Sequence, residues 1–598
     1  MPRASDRAAE PLPDSFSPLD IAIDLDRADP APDSAARTLL LKQAELIDAQ
    51  IALTRHDRRH RGWQIAGERA GFAVKALIAA AAAAAATILG VMVTSAASSR
   101  TVVVDAFDAP PALAERGLSG TVVAGGVLDA LTVIQTALRS TAAKRQISSA
   151  WTGDIAVQVP STGLSIGEID RLLHQLLSDD THVGGDLVQG ADGALFLTVR
   201  GQGVVPRTFT GQAETLPALT VQAAEYVYGT AEPHLFATYL VQADRNQDAV
   251  AFIERLFPTA SAAIRPGLAN SWANALSALG RGPEATAKYR LAVRLDPHYW
   301  TAWGNLIGDL WTSEGEQSAY QAGVRMQAAA RDAPRGTPPP DALDWQNFHP
   351  LVQDWSSLHA AHVADARQSM GGSLVAVAGP AIADDLTRLH DAAGAELALV
   401  SSDPDDPLTR AQKLLTPAMF ALMDESRAAR ALAGLRAFDA LRTADPDVAF
   451  TYSDGPCFLG LALALTGRRA EAEAVFARMG RWVTCYSFHA DGLEAAGDRP
   501  GANAAYARAV ALAPSMPFAY QRWGLALQRR GDAAGASRRF AEARQRGPRW
   551  ADPLKSQGDL LAARGRWREA AVMYDRALQF APNWPQLIAA RRQAQARS

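Results

Sequence analysis

The chain has 598 residues, of which 48% are hydrophobic and 20% charged, and its formal net charge is -4. This length leaves room for several domains, and the composition is that of an ordinary folded protein. Because there is no global basic excess, the composition argues against a nucleic-acid-binding protein. Two cysteines are too few for a disulfide framework.

The start of the chain predicts a disordered cytoplasmic tail followed by a helix. Residues 1–35 mix prolines with Asp, Ser and Ala, a composition typical of disordered segments. Residues 36–70 have a helical pattern in which leucines recur every seven positions, at Leu39, Leu46 and Leu53. Two heptads fit either a short coiled coil or an amphipathic helix lying on the inner leaflet of a membrane, so both interpretations stay open.

An uncharged stretch from Ala76 to Ser99 predicts a single transmembrane helix over residues 73–97. About 20 uncharged residues can span a bilayer as a helix. Alanine is only weakly favoured in lipid, so insertion depends on the larger Leu, Ile, Val and Met side chains. An alanine-rich helix buried in a soluble protein is the alternative. A signal peptide is disfavoured because about 70 residues precede the stretch.

Flanking charge predicts the orientation of this helix. Six basic residues lie between Arg55 and Lys75, whereas only Arg100 and Arg116 follow closely. Positive residues stay cytoplasmic, so we expect a bacterial inner-membrane protein with a cytoplasmic N-terminus and a periplasmic body. The RHDRRHRGW run that begins at Arg55 is explained better by topology and lipid headgroup contact than by nucleic-acid binding.

Residues 101–229 predict a small α/β module with the order β-α-β-α-β-β. Strand patterns lie at 101–107 and 154–159, and two further strands flank an Asp–Gly turn at Asp192. Helices are predicted over 118–138, after a capping box at Ser165, and over 213–228. The segment PRTFTG before the last helix supplies another candidate strand.

Three prolines, Pro514, Pro548 and Pro582, recur every 34 residues near the end of the chain. Each unit aligned on them has a small residue in its first helix, then a glycine that ends this helix, then an aromatic residue in the second helix. The three sets are Ala490, Gly524 and Gly558; Gly497, Gly531 and Gly565; and Tyr506, Phe540 and Tyr574. Small residues allow close helix approach, and glycine takes the left-handed conformation that ends a helix.

At these residues the chain resembles the tetratricopeptide repeat (TPR) superfamily, which implies a mainly α fold built as an α-solenoid. TPR-like repeats are predicted over 230–335, including one unit that ends at Pro297. The next unit opens at Trp303 and is expected to have a longer loop than standard. Residues 336–450 read as irregular helices without a register, and 451–598 as the regular array with a C-terminal capping helix.

The resemblance implies a groove that binds a protein or peptide partner through first-helix residues. Some TPR domains capture a C-terminal carboxylate with a Lys and an Asn one turn apart, a pattern that this chain does not match. A solvated groove that binds nothing is the alternative for each position. The candidates are Asn270, Asn274, Asn305, Gln521, Leu525, Arg529, Lys555 and Asp559.

The two cysteines, Cys457 and Cys485, lie near the starts of consecutive first helices. In an oxidising periplasm they could form a disulfide. Their repeat positions are offset by two residues, so two buried free thiols are the alternative.

Motifs for catalysis are missing from the sequence. The chain has no P-loop, no dinucleotide-binding glycine pattern and no HExxH, and His174, His182 and His234 are isolated. We therefore expect no enzyme activity, no cofactor and no metal.

The sequence favours a membrane-anchored TPR scaffold in an envelope or export assembly. Its α/β module stands before the repeats, a layout similar to that of other membrane-anchored bacterial TPR proteins. It would contact the bilayer through residues 73–97, bind protein partners and no nucleic acid, and could form a homo-oligomer. A transmembrane sensor that reorders the helix at 36–70 is the alternative, and an enzyme hidden in the α/β module is a third interpretation.

Overall fold

In the computed structural model, the described residues are 23, 27–28, 35–98, 101–138, 147–149, 176–177, 180–368, 373–424, 427–479 and 482–598. They divide into two compact units. The first comprises Met1–Val103 and Ser148–His182, and the second comprises Val104–Ile147 and Val183–Ser598. The predicted disordered tail lies almost wholly outside the described residues.

The first unit contains one long helix, α1 (Ala35–Ser98), of 64 residues. It covers the predicted helix at 36–70 and the predicted transmembrane helix without a break. No proline interrupts this stretch, and its alanine-rich half has the highest helix propensity available. Both predicted segments therefore lie in one continuous helix, and their division into a cytoplasmic part and a membrane part stays a prediction.

Two helices among the described residues are long and apolar enough to cross a membrane, judged by length and composition. One is Lys75–Thr94 within α1, and none of its window is buried in the protein. The other is Gly120–Ala137, which buries Val123, Val127 and Leu131 completely. A core helix of a soluble protein meets the same criterion. The buried side chains of Gly120–Ala137 are those of a core helix, whereas Lys75–Thr94 packs against no part of the described protein.

The small sheet contains five strands in the order β2-β1-β3-β4-β5. Strands β3, β4 and β5 form antiparallel hairpins, and Gly193 takes a φ of +84° in the first turn, as its Asp–Gly chemistry predicts. The strand predicted at 154–159 and the helix predicted after Ser165 lie outside the described residues. The strands are β1 (Val102–Val104), β2 (Ile147–Ser149), β3 (Thr181–Gln189), β4 (Leu195–Gly201) and β5 (Val204–Gly211).

Three helices accompany the sheet. The predicted long helix is confirmed as α3, and a short 3₁₀ turn at Ala213–Thr215 leads into α4. The two long helices approach closely, since a Cβ atom at Gly126 would lie 3.2 Å from Thr220. The helices are α2 (Pro111–Ala114), α3 (Gly120–Ala137) and α4 (Leu216–Ala231).

Three helix pairs follow, as the repeat pattern predicts. The loop of the third pair contains only Glu314 and Gly315, so the prediction of a longer loop is wrong. Its second helix has 16 residues instead of 14, and this extra length separates Trp303 from Pro334. The pairs are α5 (Pro233–Gln242) with α6 (Asn246–Leu256), α7 (Arg265–Ala278) with α8 (Gly282–Leu295), and α9 (Trp300–Ser313) with α10 (Glu316–Arg331).

The middle region is helical and irregular. Its helices range from 4 to 17 residues, and Pro380 and Pro417 lie inside two of them. The helices are α11 (Ala342–Trp345), α12 (His349–Val352), α13 (Trp355–Gln368), α14 (Ser373–Arg388), α15 (Ala392–Val400), α16 (Pro407–Met423), α17 (Ala428–Ala444) and α18 (Pro446–Thr451).

The regular array consists of four helix pairs and a final helix. A Cβ atom at Gly524 would lie 2.5 Å from the Phe540 ring, which explains the small residue at this position. In the final helix Leu587 and Ala594 are buried against the preceding pair, as expected of a cap. The helices are α19 (Gly455–Leu465), α20 (Arg469–Arg478), α21 (Val483–Ala495), α22 (Arg499–Leu512), α23 (Phe518–Arg529), α24 (Ala533–Arg546), α25 (Ala551–Ala562), α26 (Trp567–Leu578) and α27 (Pro585–Arg597).

Candidate partner-binding surfaces of the helical repeats

In the first helix of a unit, the type of residue that directly follows the small residue depends on the aromatic residue 15 positions later, in the second helix. Where that aromatic is tyrosine, its hydroxyl donates to a polar acceptor; where it is phenylalanine, the matching residue is leucine. Tyr289 donates to Asn274 at 2.6 Å, and Tyr574 donates to Asp559 at 2.8 Å. The full set is Asn274–Tyr289, Asp491–Tyr506 and Asp559–Tyr574 on one side, and Leu461–Phe476 and Leu525–Phe540 on the other.

These hydrogen bonds give Asn274 and Asp559 a structural role. A buried tyrosine hydroxyl without a partner costs about 1–3 kcal/mol, so the acceptor stabilises the unit to which it belongs. Sequence reasoning placed both residues in a binding groove. The pairing of tyrosine with Asn or Asp, and of phenylalanine with leucine, was visible in the sequence of the repeats and could have identified this role.

The other predicted groove amides link neighbouring first helices. Asn305 Nδ2 donates to Asn270 Oδ1 at 3.0 Å, and Gln521 Nε2 donates to Ser556 Oγ at 2.8 Å. Each bond joins residues 35 positions apart, so it crosses from one unit to the next. Asn270 is 5% exposed and Gln521 is 3% exposed. The structure thus places these amides inside the stack of helices.

The two predicted groove cations also have carboxylate partners. Lys555 Nζ lies 2.7 Å from Asp559 Oδ2, and Arg529 lies 3.7 Å from the buried carboxylate of Asp491. Arg522 contacts the same carboxylate at 2.6 Å. The predicted site residues therefore fall into separate clusters along the repeats, and each is held by a contact within the protein.

Cys457 and Cys485 form a disulfide in the structure, with a Cα–Cα distance of 4.8 Å. Both residues are buried in the core around Phe458 and Phe488. The bond joins α19 to α21, the first helices of consecutive pairs. Oxidation of this pair in the cell stays a prediction.

A contact absent from the sequence reasoning connects the earlier helices to the regular array. We call it the clasp, the contacts of Glu316, Gln317, Asp354, His390 and Asp391 with the array. At one end, Glu316 Oε1 accepts the backbone N–H of Val483 at 2.8 Å. Gln317 forms two hydrogen bonds with Ser515, at 3.0 and 3.1 Å.

The clasp continues along the array in steps of one unit. Asp354 pairs with Arg549 at 3.1 Å, and Asp391 accepts a hydrogen bond from Asn583 at 2.6 Å. His390 contacts Asp552 at 3.1 Å, and its ring stacks on Trp584 at 3.5 Å between ring centroids. The chain itself therefore covers the edge of the array formed by the loops before the first helices.

One buried carboxylate of the clasp has altered proton affinity. Burial raises the pKa of Glu316 to about 7, and the hydrogen bond from Val483 opposes this rise only in part. Glu316 is 3% exposed. Its charge state therefore changes near neutral pH, at a contact that joins two distant parts of the chain.

Catalytic and metal sites gain no support from the described residues. Within those ranges no group of three His, Cys, Asp or Glu side chains is arranged to hold a metal ion. A histidine–aspartate pair exists at His362 Nδ1 and Asp385 Oδ2, 2.6 Å apart. Both side chains are buried, and burial raises the pKa of Asp385 to about 7. The pair is packed in the middle region, out of reach of a substrate.

No family model matches the sequence, and no curated protein matches it. Among solved structures, the chain is similar to the APC/C hetero-tetramer Cut9–Hcn1, with 13% identity, a TM-score of 0.38 and coverage of 64% of this chain and 80% of that chain. It is also similar to yeast Tom70, with 11% identity, a TM-score of 0.27 and coverage of 60% and 94%. Similarities this low transfer no function to the chain.

Proposed function

We propose that the protein is a membrane-anchored, TPR-type scaffold that binds protein partners through its helical repeats. The observation that carries the proposal is the run of stacked helix pairs with one register in the array at 455–597. Stacked pairs present an extended surface to other proteins. Because the clasp covers one edge of the array, the partner surface is assigned to the parts that the clasp leaves exposed.

The anchor is assigned to residues 73–97 of α1. The apolar side chains of this stretch have no partner surface in the described protein; Leu77 is 73% exposed and Ile88 is 56% exposed. Lipid would remove this surface from water. The excess of basic residues before it supports a cytoplasmic N-terminus, a periplasmic body in a bacterial inner membrane, and work in an envelope or export assembly.

A transmembrane sensor is the second candidate, and the continuity of α1 favours it. The helix runs from Ala35 to Ser98 without a break. A rigid helix of this kind would couple a rearrangement on one side of the membrane to the segment at 36–70 on the other. This function predicts that partner binding changes the reactivity of cysteines introduced into 36–70, whereas a passive scaffold predicts no change.

A topology experiment tests the anchor, with alkaline phosphatase or a fluorescent protein that matures only in the cytoplasm fused after Ser598. We expect phosphatase activity and no fluorescence. The opposite pattern would overturn the proposed orientation. A variant with Leu77, Ile78, Ile88 and Leu89 changed to serine is the control, and it should release the protein from the membrane fraction.

Photocrosslinking tests the scaffold role in cells. A photoreactive amino acid at exposed positions of the array should give discrete crosslinked bands with a protein partner. The same amino acid at exposed Val205 of β5 is the matched control and should give none. Equal crosslinking at both places, or at neither, would contradict a partner surface on the array.

A further inference from the structure

The end of the chain, which includes most of the regular array, has a charge opposite to that of the rest of the chain. Residues 499–598 contain 18 Lys and Arg but only 6 Asp and Glu, whereas the complete chain carries a net charge of -4. A concentrated positive charge raises the local concentration of acidic ligands and speeds their association. The charge alone does not define a site, because most of these cations are already paired.

Many arginines of the array have partners that account for them. Arg522 contacts Asp491, Arg530 contacts Glu494 and Arg566 contacts Glu569. Others lie over aromatic rings, such as Arg539, which is 3.7 Å from the centre of the Trp523 ring. These cations stabilise the array itself.

Arg544 and Arg576 are different. They come from the second helices α24 and α26 of consecutive units, and no carboxylate of the described protein forms an ion pair with either. Arg544 Nη1 lies 3.4 Å from the sulfur of Met573, a weak acceptor. Its Nε is buried and has no hydrogen-bond partner. A buried donor without a partner costs free energy, which a bound acceptor would recover.

The acidic residues on the same two helices cannot fill this place. Glu542 pairs with Arg539 at 2.9 Å, and Asp575 pairs with Arg591 at 2.8 Å. Burial lowers the pKa of Arg544, and the positive charge of Arg576 nearby lowers it further. Arg544 contacts Met573, which lies one turn before Arg576 on α26. The two cations are therefore neighbours without a counterion from the described chain, and an anion would relieve their repulsion.

We propose that Arg544 and Arg576 bind a carboxylate in an acidic segment of the protein partner, on the second-helix face of the array. This inference rests on the proposed scaffold function and specifies the chemistry of its partner. Arginine binds carboxylates in a planar, bidentate geometry. A singly charged carboxylate is favoured over a doubly charged phosphate, since the site is half-buried beside Met573 and desolvation costs more for the larger charge.

A binding experiment with the purified full chain in detergent tests this site. The probe is a fluorescein-labelled peptide of alternating Glu and Ser, and fluorescence anisotropy gives its affinity at fixed salt. Arg544→Met with Arg576→Gln should weaken binding at least about tenfold, because it removes the charge-assisted hydrogen bonds. Arg508→Gln with Arg538→Gln removes the same charge from exposed second-helix positions and should weaken binding less than about twofold.

Three results would overturn the proposal. They are equal loss in the two double variants, which indicates general electrostatic attraction; absence of peptide binding by the unaltered chain; and tighter, site-dependent binding of inorganic phosphate, an oligonucleotide or phosphatidylglycerol vesicles. A third variant, Arg544→Lys with Arg576→Lys, keeps the charge and should still lose several-fold affinity, so the test does not depend on folding of the Met variant. These measurements in solution are independent of membrane topology and of crosslinking in cells.

Discussion

The regular array at 455–597 and the middle region at 342–451 differ in the residues that take the left-handed conformation at the ends of helices. In the array, a glycine with φ between +72° and +82° ends the first helix of each pair, at Gly467, Gly497, Gly531 and Gly565. In the middle region the left-handed positions are Gln353 and His390, with φ of 58° and 61°. A side chain in this conformation costs roughly 1–2 kcal/mol, a cost that glycine avoids.

This difference shows where each region obtains its stability. Array residues meet their polar partners within a unit or in the next one, as Tyr574 meets Asp559 at 15 positions and Gln521 meets Ser556 at 35 positions. The two strained residues of the middle region, by contrast, adjoin the clasp: Gln353 precedes Asp354, and His390 stacks on Trp584. We infer that the array is stabilised by repeated local contacts, and the middle region by contacts with the array.

Reduction of the disulfide should have the largest effect, since it joins the first two pairs of the array. Cys457 and Cys485 are 28 residues apart, and closing a loop of this size stabilises a protein by about 2–4 kcal/mol. Urea unfolding with and without a reducing agent measures the difference. The variant with Cys457→Ala and Cys485→Ala is the control and should not respond to the reductant. An equal response in both proteins would contradict the disulfide.

The tyrosine–acceptor match predicts a smaller effect at a single hydroxyl. Phe540 is fully buried in a cluster that includes Leu525 of the same unit. Phe540→Tyr places a hydroxyl there without an acceptor, which should cost about 1–3 kcal/mol of unfolding free energy. The double variant Phe540→Tyr with Leu525→Asp reproduces the pair seen at Asp491 and Tyr506 and should recover part of that loss.

Urea midpoints of the single and double variants make this comparison. Leu525→Asp alone serves as the matched control, since it introduces the carboxylate without the hydroxyl. If the two substitutions prove additive, with no recovery in the double variant, the acceptor role of this position is wrong.

Much of the fold could be predicted because its signals are local. Glycine, proline and aromatic positions at a 34-residue period were sufficient to place the pairs at 265–295 and 483–578, and the Asp192–Gly193 turn was sufficient to place a hairpin. The clasp could not be found in this way, because it joins residues between 162 and 198 positions apart.

The candidate site was harder to predict than the fold. A first-helix position identifies which residues face the neighbouring unit, but it does not show whether an amide is exposed or bonded there. Asn270 and Gln521 were chosen for their polarity, and the structure uses this polarity inside the stack. Arg544 gave no signal in the sequence, since its distinction is the lack of a partner.

The clasp predicts a pH dependence that the array alone would not have. Glu316 has a pKa of about 7 in the folded protein, raised from 4.5 by burial. The folded state therefore binds this proton more tightly than the unfolded state. The contribution to stability is fully present below pH 4.5 and is lost as the pH rises through 7. Glu316→Gln keeps an oxygen acceptor for Val483 and removes the charge.

We therefore expect the variant to lose this part of the pH dependence. On going from pH 4.5 to pH 7.5 its free energy of unfolding should rise relative to that of the unaltered protein, by at most about 3 kcal/mol. Urea midpoints at several pH values measure the gain, with the exposed Glu396→Gln as the matched control. Parallel pH profiles for the unaltered protein and Glu316→Gln would show that Glu316 is not buried at the clasp. If only Glu316→Gln gains stability, the stability of the folded protein depends on the protonation of this one carboxylate at the clasp.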